Sequence, residues 1–134
     1  MLSKTFSIQT SGTFDLFEIT DKVEEAVRGS KAKDGVCFVF TPHTTACLIM
    51  NEKESGFLED FRKTILRLIP REGKYEHNRL GEGNANAHII SSIIKPYLVL
   101  PIENSSLNLG TWQNLFFVEL DGPRTRNVSV RVFE

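Results

Sequence analysis

The chain has 134 residues, 40% of them hydrophobic and ten of them Phe, which is enough apolar material for one core and one domain. Its 16 basic and 17 acidic side chains leave a formal net charge of -1, so no overall field steers it toward nucleic acid or anionic lipid, and any anion site must be a local cluster. There is no continuous apolar segment of signal-peptide or membrane-spanning kind, and Cys37 and Cys47 both sit in apolar stretches; a cytoplasmic protein with buried, reduced thiols, no nucleic-acid partner and no membrane contact is expected.

Leu2, Phe6 and Ile8 share one parity against Ser3, Thr5, Ser7 and Gln9, the period-2 pattern of a strand covered on one face. Thr20 and Asp21 before Lys22–Val27, with Glu24 in capping-box position and Gly29 just past the end, predict a short helix. Val36–Phe40 reads as a buried strand broken by Thr41-Pro42, and Thr44–Met50 as a second extended segment, which leaves His43 at the handover. From a Ser55 cap, Phe57, Leu58, Phe61, Ile65 and Leu68 form one stripe of a helix that ends at Pro70.

The stretch Tyr75–His88 is too rich in Gly and Asn to build a core and holds two of the three histidines, so it predicts a loop running into a helix. That helix, capped by Asn84 and continuing to about Lys95, is stopped by Pro96. Tyr97–Ile102, Thr111–Leu120 and Arg126–Phe133 read as three more strands, the last alternating Val128, Val130 and Val132 with Asn127, Ser129 and Arg131. So many strands with few crossover helices predict an α+β domain over residues 1–134, its sheet mostly antiparallel and sandwich- or barrel-like, with about three helices.

His43, His77 and His88 stand in three local settings, and three imidazoles with an open position are a zinc arrangement, although no local His/Cys spacing motif supports it and ordinary local hydrogen bonding explains them equally well. Arg124 and Arg126 are two apart after the Asp121-Gly122-Pro123 turn; extended, they form a fork for phosphate or carboxylate, and the competing reading pairs a turn arginine with Asp121 or Glu119. Trp112 at a strand start is expected to be core more often than ligand-facing, with Gln113 and Glu119 on one parity. Asn51 and Glu52 either donate oxygens near the His43 segment or simply cap the next helix.

His43-Thr44-Thr45-Ala46, Asn51-Glu52, Tyr75-x-His77, Asn84-Ala85-x-Ala87-His88, Leu109-Gly110-Thr111-Trp112-Gln113 and Asp121-Gly122-Pro123-Arg124-x-Arg126 together resemble the YjbQ family, also called UPF0047 or the secondary thiamine-phosphate synthase family. The resemblance covers most of the chain. It implies a YjbQ-like α+β fold, a homotrimer and a weak thiamine-phosphate synthase activity, in which a pyrimidine pyrophosphate is joined to a thiazole phosphate with release of pyrophosphate. It also implies that the family's shared polar residues are His43, Thr44, Thr45, Asn51, Glu52, His77, Asn84, His88, Trp112, Gln113, Asp121, Arg124 and Arg126.

On this reading the three histidines act in catalysis or hold a divalent metal, and the other ten residues bind the substrate. Magnesium suits pyrophosphate but prefers oxygen ligands, three histidines suit zinc, and no organic cofactor is expected. A metal-dependent hydrolase of a phosphorylated metabolite and a non-enzymatic trimer that binds a metal or a phosphate-like anion are the alternatives. One departure is visible: where the family has a Gly in the loop before Leu-x-Leu-Gly-Thr-Trp-Gln, this chain has Asn104-Ser105-Ser106.

Overall fold

The computed structural model describes residues 1–134. In chain order the elements are β1 (Leu2–Gln9), β2 (Asp15–Glu18), α1 (Thr20–Ser30), β3 (Gly35–Phe40), β4 (Ala46–Asn51), α2 (Ser55–Leu68), a 3-10 turn (Glu76–Leu80), α3 (Ala85–Ile94), β5 (Tyr97–Glu103), β6 (Ser106–Leu107), β7 (Asn114–Glu119) and β8 (Thr125–Phe133). The strands form a five-stranded sheet, β1-β8-β3-β5-β6, and a three-stranded sheet, β2-β7-β4. Every neighbouring pair is antiparallel, as the shortage of crossover helices predicts.

Period-2 alternation decides what fills the space between the sheets. Val128, Val130 and Val132 of β8, Cys37 and Val39 of β3, and Leu100 and Ile102 of β5 point inward to meet Leu115 and Phe117 of β7, Ala46 and Leu48 of β4, and the buried face of α1. The small sheet is covered on its other side as well. Cys47 of β4 and Val118 of β7 join Phe14, Leu120, Ala87 and Ile90 in a second cluster, against which Phe61 and Ile65 of α2 pack. That double coverage explains why β7 reads as an unbroken run, Leu-Phe-Phe-Val, without polar alternation.

The three predicted helices are present, with differences at their ends. Glu54, not Ser55, caps α2, its carboxylate accepting from the N–H groups of Gly56 and Phe57. Asn84 occupies the cap position of α3 without capping it, because its side chain is used elsewhere; Asn78 Oδ1 accepts from Ala85 N–H instead. The short strands β2 and β6 and the 3-10 turn carry too few residues to show a periodicity, and the sequence reading passed over them. Cys37 and Cys47 are buried and unpaired, and burial pushes both thiols up to about 12, the environment of structural and not reactive cysteines.

Asn104 and Ser105 form the two-residue connection between β5 and β6, with φ of 52° and 65°. Positive φ at both central positions is the geometry of a type I′ hairpin turn, for which Asn-Gly is the favoured pair, so the missing glycine of the family pattern falls where a Cβ is strained. Ser105→Gly should therefore raise stability by up to about 1 kcal/mol, less the extra entropy of the unfolded chain, and lift the melting temperature by a few degrees. Thermal denaturation checks this; a lowered melting temperature would contradict the turn assignment.

Candidate functional site

The inward-facing row of β8 begins with Arg126, and the inward-facing row of β7 ends with Glu119, so one end of the sandwich is closed by charge where apolar residues fill the rest. Arg126 is 4% exposed and Glu119 0% exposed. The guanidinium donates from Nε to Glu119 Oε1 at 2.8 Å and from Nη2 to Oε2 at 2.5 Å, and Nη2 also donates to Thr45 Oγ1 at 2.8 Å. Thr10 Oγ1 and the N–H groups of Leu120 and Asp121 donate to the remaining carboxylate positions. The pair is thus buried with both carboxylate oxygens and the guanidinium's Nε and Nη2 hydrogen-bonded, the condition under which such a pair is tolerated.

This corrects the expected arginine fork. Residues two apart in a strand do share a face, but here that face is the core: Arg126 is committed to Glu119, and Arg124 lies before the strand begins. Arg124 donates from Nε to the Asp121 carbonyl at 2.8 Å and from Nη2 to Asp121 Oδ2 at 3.0 Å. The competing sequence reading, a turn arginine paired with Asp121 or Glu119, describes Arg124, and Arg126 of the strand takes the other acid.

Above this plug the three histidines gather on one side of the molecule. His43 and His88 line a cleft of about 270 Å³ together with Thr44, Ser91, Ser92 and Pro96. His77 packs edge-on against His88, ring centroids 4.6 Å apart. A larger hollow of about 570 Å³ at the chain termini, lined by Met1, Leu2, Ser30, Val132, Phe133 and Glu134, contains no imidazole or guanidinium.

A relay of side chains orients His77. Asp121 Oδ2 accepts from Asn84 Nδ2 at 3.0 Å, so Asn84 turns its Oδ1 toward His77 Nε2, 2.9 Å away. An amide oxygen only accepts, which puts the His77 proton on Nε2 and leaves Nδ1 as the acceptor in the neutral ring. Asn84, 9% exposed, is therefore an orienting residue.

Asn51, Glu52, Trp112 and Gln113 are not part of this group within one chain. Asn51 pairs with Asn114 at one end of β4 and β7, whereas Ala46 pairs with Glu119 at the other, a separation of roughly 16 Å along the strand. Asn51 Oδ1 accepts from Glu52 N–H and Gln113 Oε1 from Gly110 N–H. β7 starts after Gln113, so the expected parity with Glu119 does not apply, and Trp112 is 71% exposed instead of joining the core. Thr45 is buried under Arg126, while Thr44 is exposed at the cleft. Glu119 and Thr10 are the residues the sequence reading left out of the site. Parity with Leu115 and Phe117, and with Phe6 and Ile8, was the available signal.

Zinc or magnesium does not fit these side chains within a single chain. No three His, Cys, Asp or Glu residues come together as a metal-binding set, and both His43 Nε2 and His77 Nε2 are engaged by protein hydrogen bonds.

Burial and the charges of Arg126 and Arg124 lower His43's pKa, against a smaller opposing pull from Glu119. Burial pushes the Glu119 carboxyl up, but hydrogen bonds from Arg126, Thr10 and Asp121 N–H carry it net below its ordinary value. Asp121 behaves likewise: burial raises it, and Asn84 and Arg124 more than compensate.

All three folded-state values are depressed, so each group contributes stability above its unfolded value that is lost as pH falls through its folded value. The His43 share fades below about pH 6.5 and the carboxylate shares below about pH 4. Urea unfolding should show both losses on acidification. At neutral pH, Arg126→Ala or Glu119→Ala should cost about 3 to 5 kcal/mol, because each strands a buried charge, while Arg124→Ala on the half-exposed pair should cost about 1 kcal/mol or less. Equal costs at Arg124 and Arg126 would contradict this division.

The family model described as "UPF0047 protein YjbQ-like" matches residues 4–134. The UPF0047 protein of Archaeoglobus fulgidus is 42% identical over 93% of this chain and 96% of its own length, and YugU of Bacillus subtilis is 35% identical over 96% and 97%. A YbjQ-like protein of unknown function from Sulfolobus solfataricus superimposes with a TM-score of 0.95 at 37% identity, covering 98% of this chain and 95% of that one. A hypothetical protein from Aeropyrum pernix does so with 0.94 at 37% identity, covering 99% and 98%. By sequence along nearly its whole length and by fold, this chain belongs to the UPF0047 YjbQ-like family.

Proposed function

We propose that the cleft between His43 and His88 binds a phosphorylated small molecule, and that the chain is an enzyme acting on it by orienting imidazoles around the phosphate oxygens. The observation that carries this reading is the gathering of three imidazoles beside Thr44, with the charge of Arg124 reaching His43, in a chain whose net charge is -1. Preorganised hydrogen-bond donors aimed at oxygens that gain negative charge are the largest single contribution to many enzymatic rates.

The specific reaction proposed is thiamine-phosphate formation. The thiazole nitrogen forms a bond to the pyrimidine methylene carbon, the carbon–oxygen bond to pyrophosphate breaks, and pyrophosphate leaves with the electron pair. No protein nucleophile is needed; stabilising the departing oxygens is the protein's task. With Arg126 committed to Glu119, that task falls to His43, His88 and Arg124, a modest electrostatic set that suits a weak activity. Nothing is routed through a metal, since the single chain offers no set of three ligands.

We further propose that the active form is a homotrimer. The outer face of the large sheet supports this: Val36 is 42% exposed, Tyr97 42%, Val99 58% and Phe133 46%, with Phe38 stacked between Phe40 and Tyr97. An apolar face of that extent needs a cover, and a second copy of the chain is the occupant that also gives the remote Asn51, Glu52, Trp112 and Gln113 a site to complete. No helix is long and apolar enough to cross a membrane, and two unpaired buried cysteines support a reducing, cytoplasmic setting.

Two outcomes are expected. Purified protein given the pyrimidine pyrophosphate and the thiazole phosphate should release pyrophosphate, and His88→Ala should lower the rate by about 100-fold or more with unchanged circular dichroism; no turnover in the wild type removes the transferase reading. In sedimentation equilibrium the wild type should run as a trimer and Phe38→Glu as a folded monomer, whereas a wild-type monomer would remove the assembly.

A further inference from the structure

The segment Thr41–Thr45 is clamped to β8 at three points. Thr41 Oγ1 donates to the Asn127 carbonyl at 2.8 Å, Asn127 N–H donates to His43 Nε2 at 2.9 Å, and Arg126 Nη2 donates to Thr45 Oγ1 at 2.8 Å. The register shows why His43 is drawn in. The last pair between β3 and β8 is Phe40 with Ser129, so beyond it Asn127 N–H has lost its strand partner, and the imidazole nitrogen takes the place of the next carbonyl.

A ring nitrogen that accepts a hydrogen bond carries no proton, so the single proton of the neutral ring must sit on Nδ1. A metal at Nε2 would have to displace the backbone N–H, and a metal at Nδ1 would require the ring to surrender its last proton.

We infer that His43 is a fixed Nδ1–H donor to an acceptor oxygen of the ligand in the cleft and not a metal ligand, and that Arg126 is a positioning residue that keeps the His43 segment clamped to β8. The identity of that acceptor as a phosphate oxygen rests on the proposed function; the tautomer does not. His43 would thereby differ from His77, whose Nε2 is the protonated nitrogen and whose Nδ1 carries the lone pair of the neutral ring. The site then presents one histidine of each kind, which suits a ligand that combines acceptor oxygens with a proton or electron-poor atom.

The test is nitrogen-15 spectroscopy of the three imidazoles in histidine-labelled full-length protein at a mildly alkaline pH. The expected result is a protonated Nδ1 and a bare Nε2 at His43, a shift of the Nδ1–H on adding inorganic phosphate, and no displacement of the His43 signals by zinc. A protonated Nε2, or zinc binding first at His43, overturns the inference whatever the cleft holds. A protonated Nδ1 with no response of any imidazole to phosphate or pyrophosphate overturns the phosphate reading and leaves the tautomer standing.

Two substitutions separate donor from clamp. His43→Gln reaches Asn127 N–H but lacks a donor at the Nδ1 position, and should weaken phosphate binding about tenfold or more; His43→Asn keeps a donor near Nδ1 and should retain most of it. The opposite order contradicts the assignment. Arg126→Lys should give mixed His43 tautomers, a change that lost stability alone does not produce. If that variant fails to fold, His43→Gln and His43→Asn still decide the donor, and Thr45→Val, which removes the Arg126 contact to Thr45 Oγ1 without touching Glu119, decides the clamp: mixed His43 tautomers support it and an unchanged tautomer overturns it.

Discussion

A guanidinium and a carboxylate, Arg126 and Glu119, lie inside the sandwich where apolar side chains would otherwise meet, and the organisation of the site depends on them. Removing two charges from water costs several kcal/mol each, and only nearly complete hydrogen bonding makes such a pair tolerable. That requirement recruits Thr10 from the end of β1, Thr45 from the start of β4 and the backbone of Leu120 and Asp121 after β7. Four chain segments are tied together at the one place where the two sheets and the site meet. An apolar plug of the same volume would hold the sheets as well but would give the His43 segment and the Asp121 turn no directional contacts.

From that anchor two chains of contact lead outward. One runs through Thr45 and Asn127 to His43, and the other through the Asp121 turn, braced by Arg124, to Asn84 and on to His77. Each ends on an imidazole whose proton is placed by its neighbours: on Nδ1 at His43 and on Nε2 at His77. His88 packs against His77 and lines the same cleft as His43, so it links the two. Histidines held in this way would lose little entropy on meeting a ligand, the property the proposed function asks of a small exposed cleft.

Much of this was legible in the sequence. The parity of β1 and β8, the stripe of α2 and the stop signals around α3 identify the long elements, because each repeats its pattern enough times to be read. Arg126 shows the limit. Two-residue spacing correctly put it on one face of a strand, but spacing does not say which face is inside, and the row it shares with Val128, Val130 and Val132 was the better guide. Asn84 illustrates a different limit: local chemistry made it a helix cap, yet a partner 37 residues away, Asp121, outcompeted the helix for its side chain. Trp112 and Gln113 sit beside the histidines in the family's motif list but about the length of a strand away in one chain, a separation that linear order cannot reveal.

The most direct measurement is a crystal structure of the wild-type protein grown with inorganic pyrophosphate and zinc together. The expected result is pyrophosphate in the cleft, with one oxygen within hydrogen-bond distance of His43 Nδ1 and near His88 and Arg124, while Arg126 stays on Glu119 and Asn127 N–H stays on His43 Nε2. Zinc bound directly to a nitrogen of His43, or an anion held by Arg126 after it has left Glu119, would contradict it.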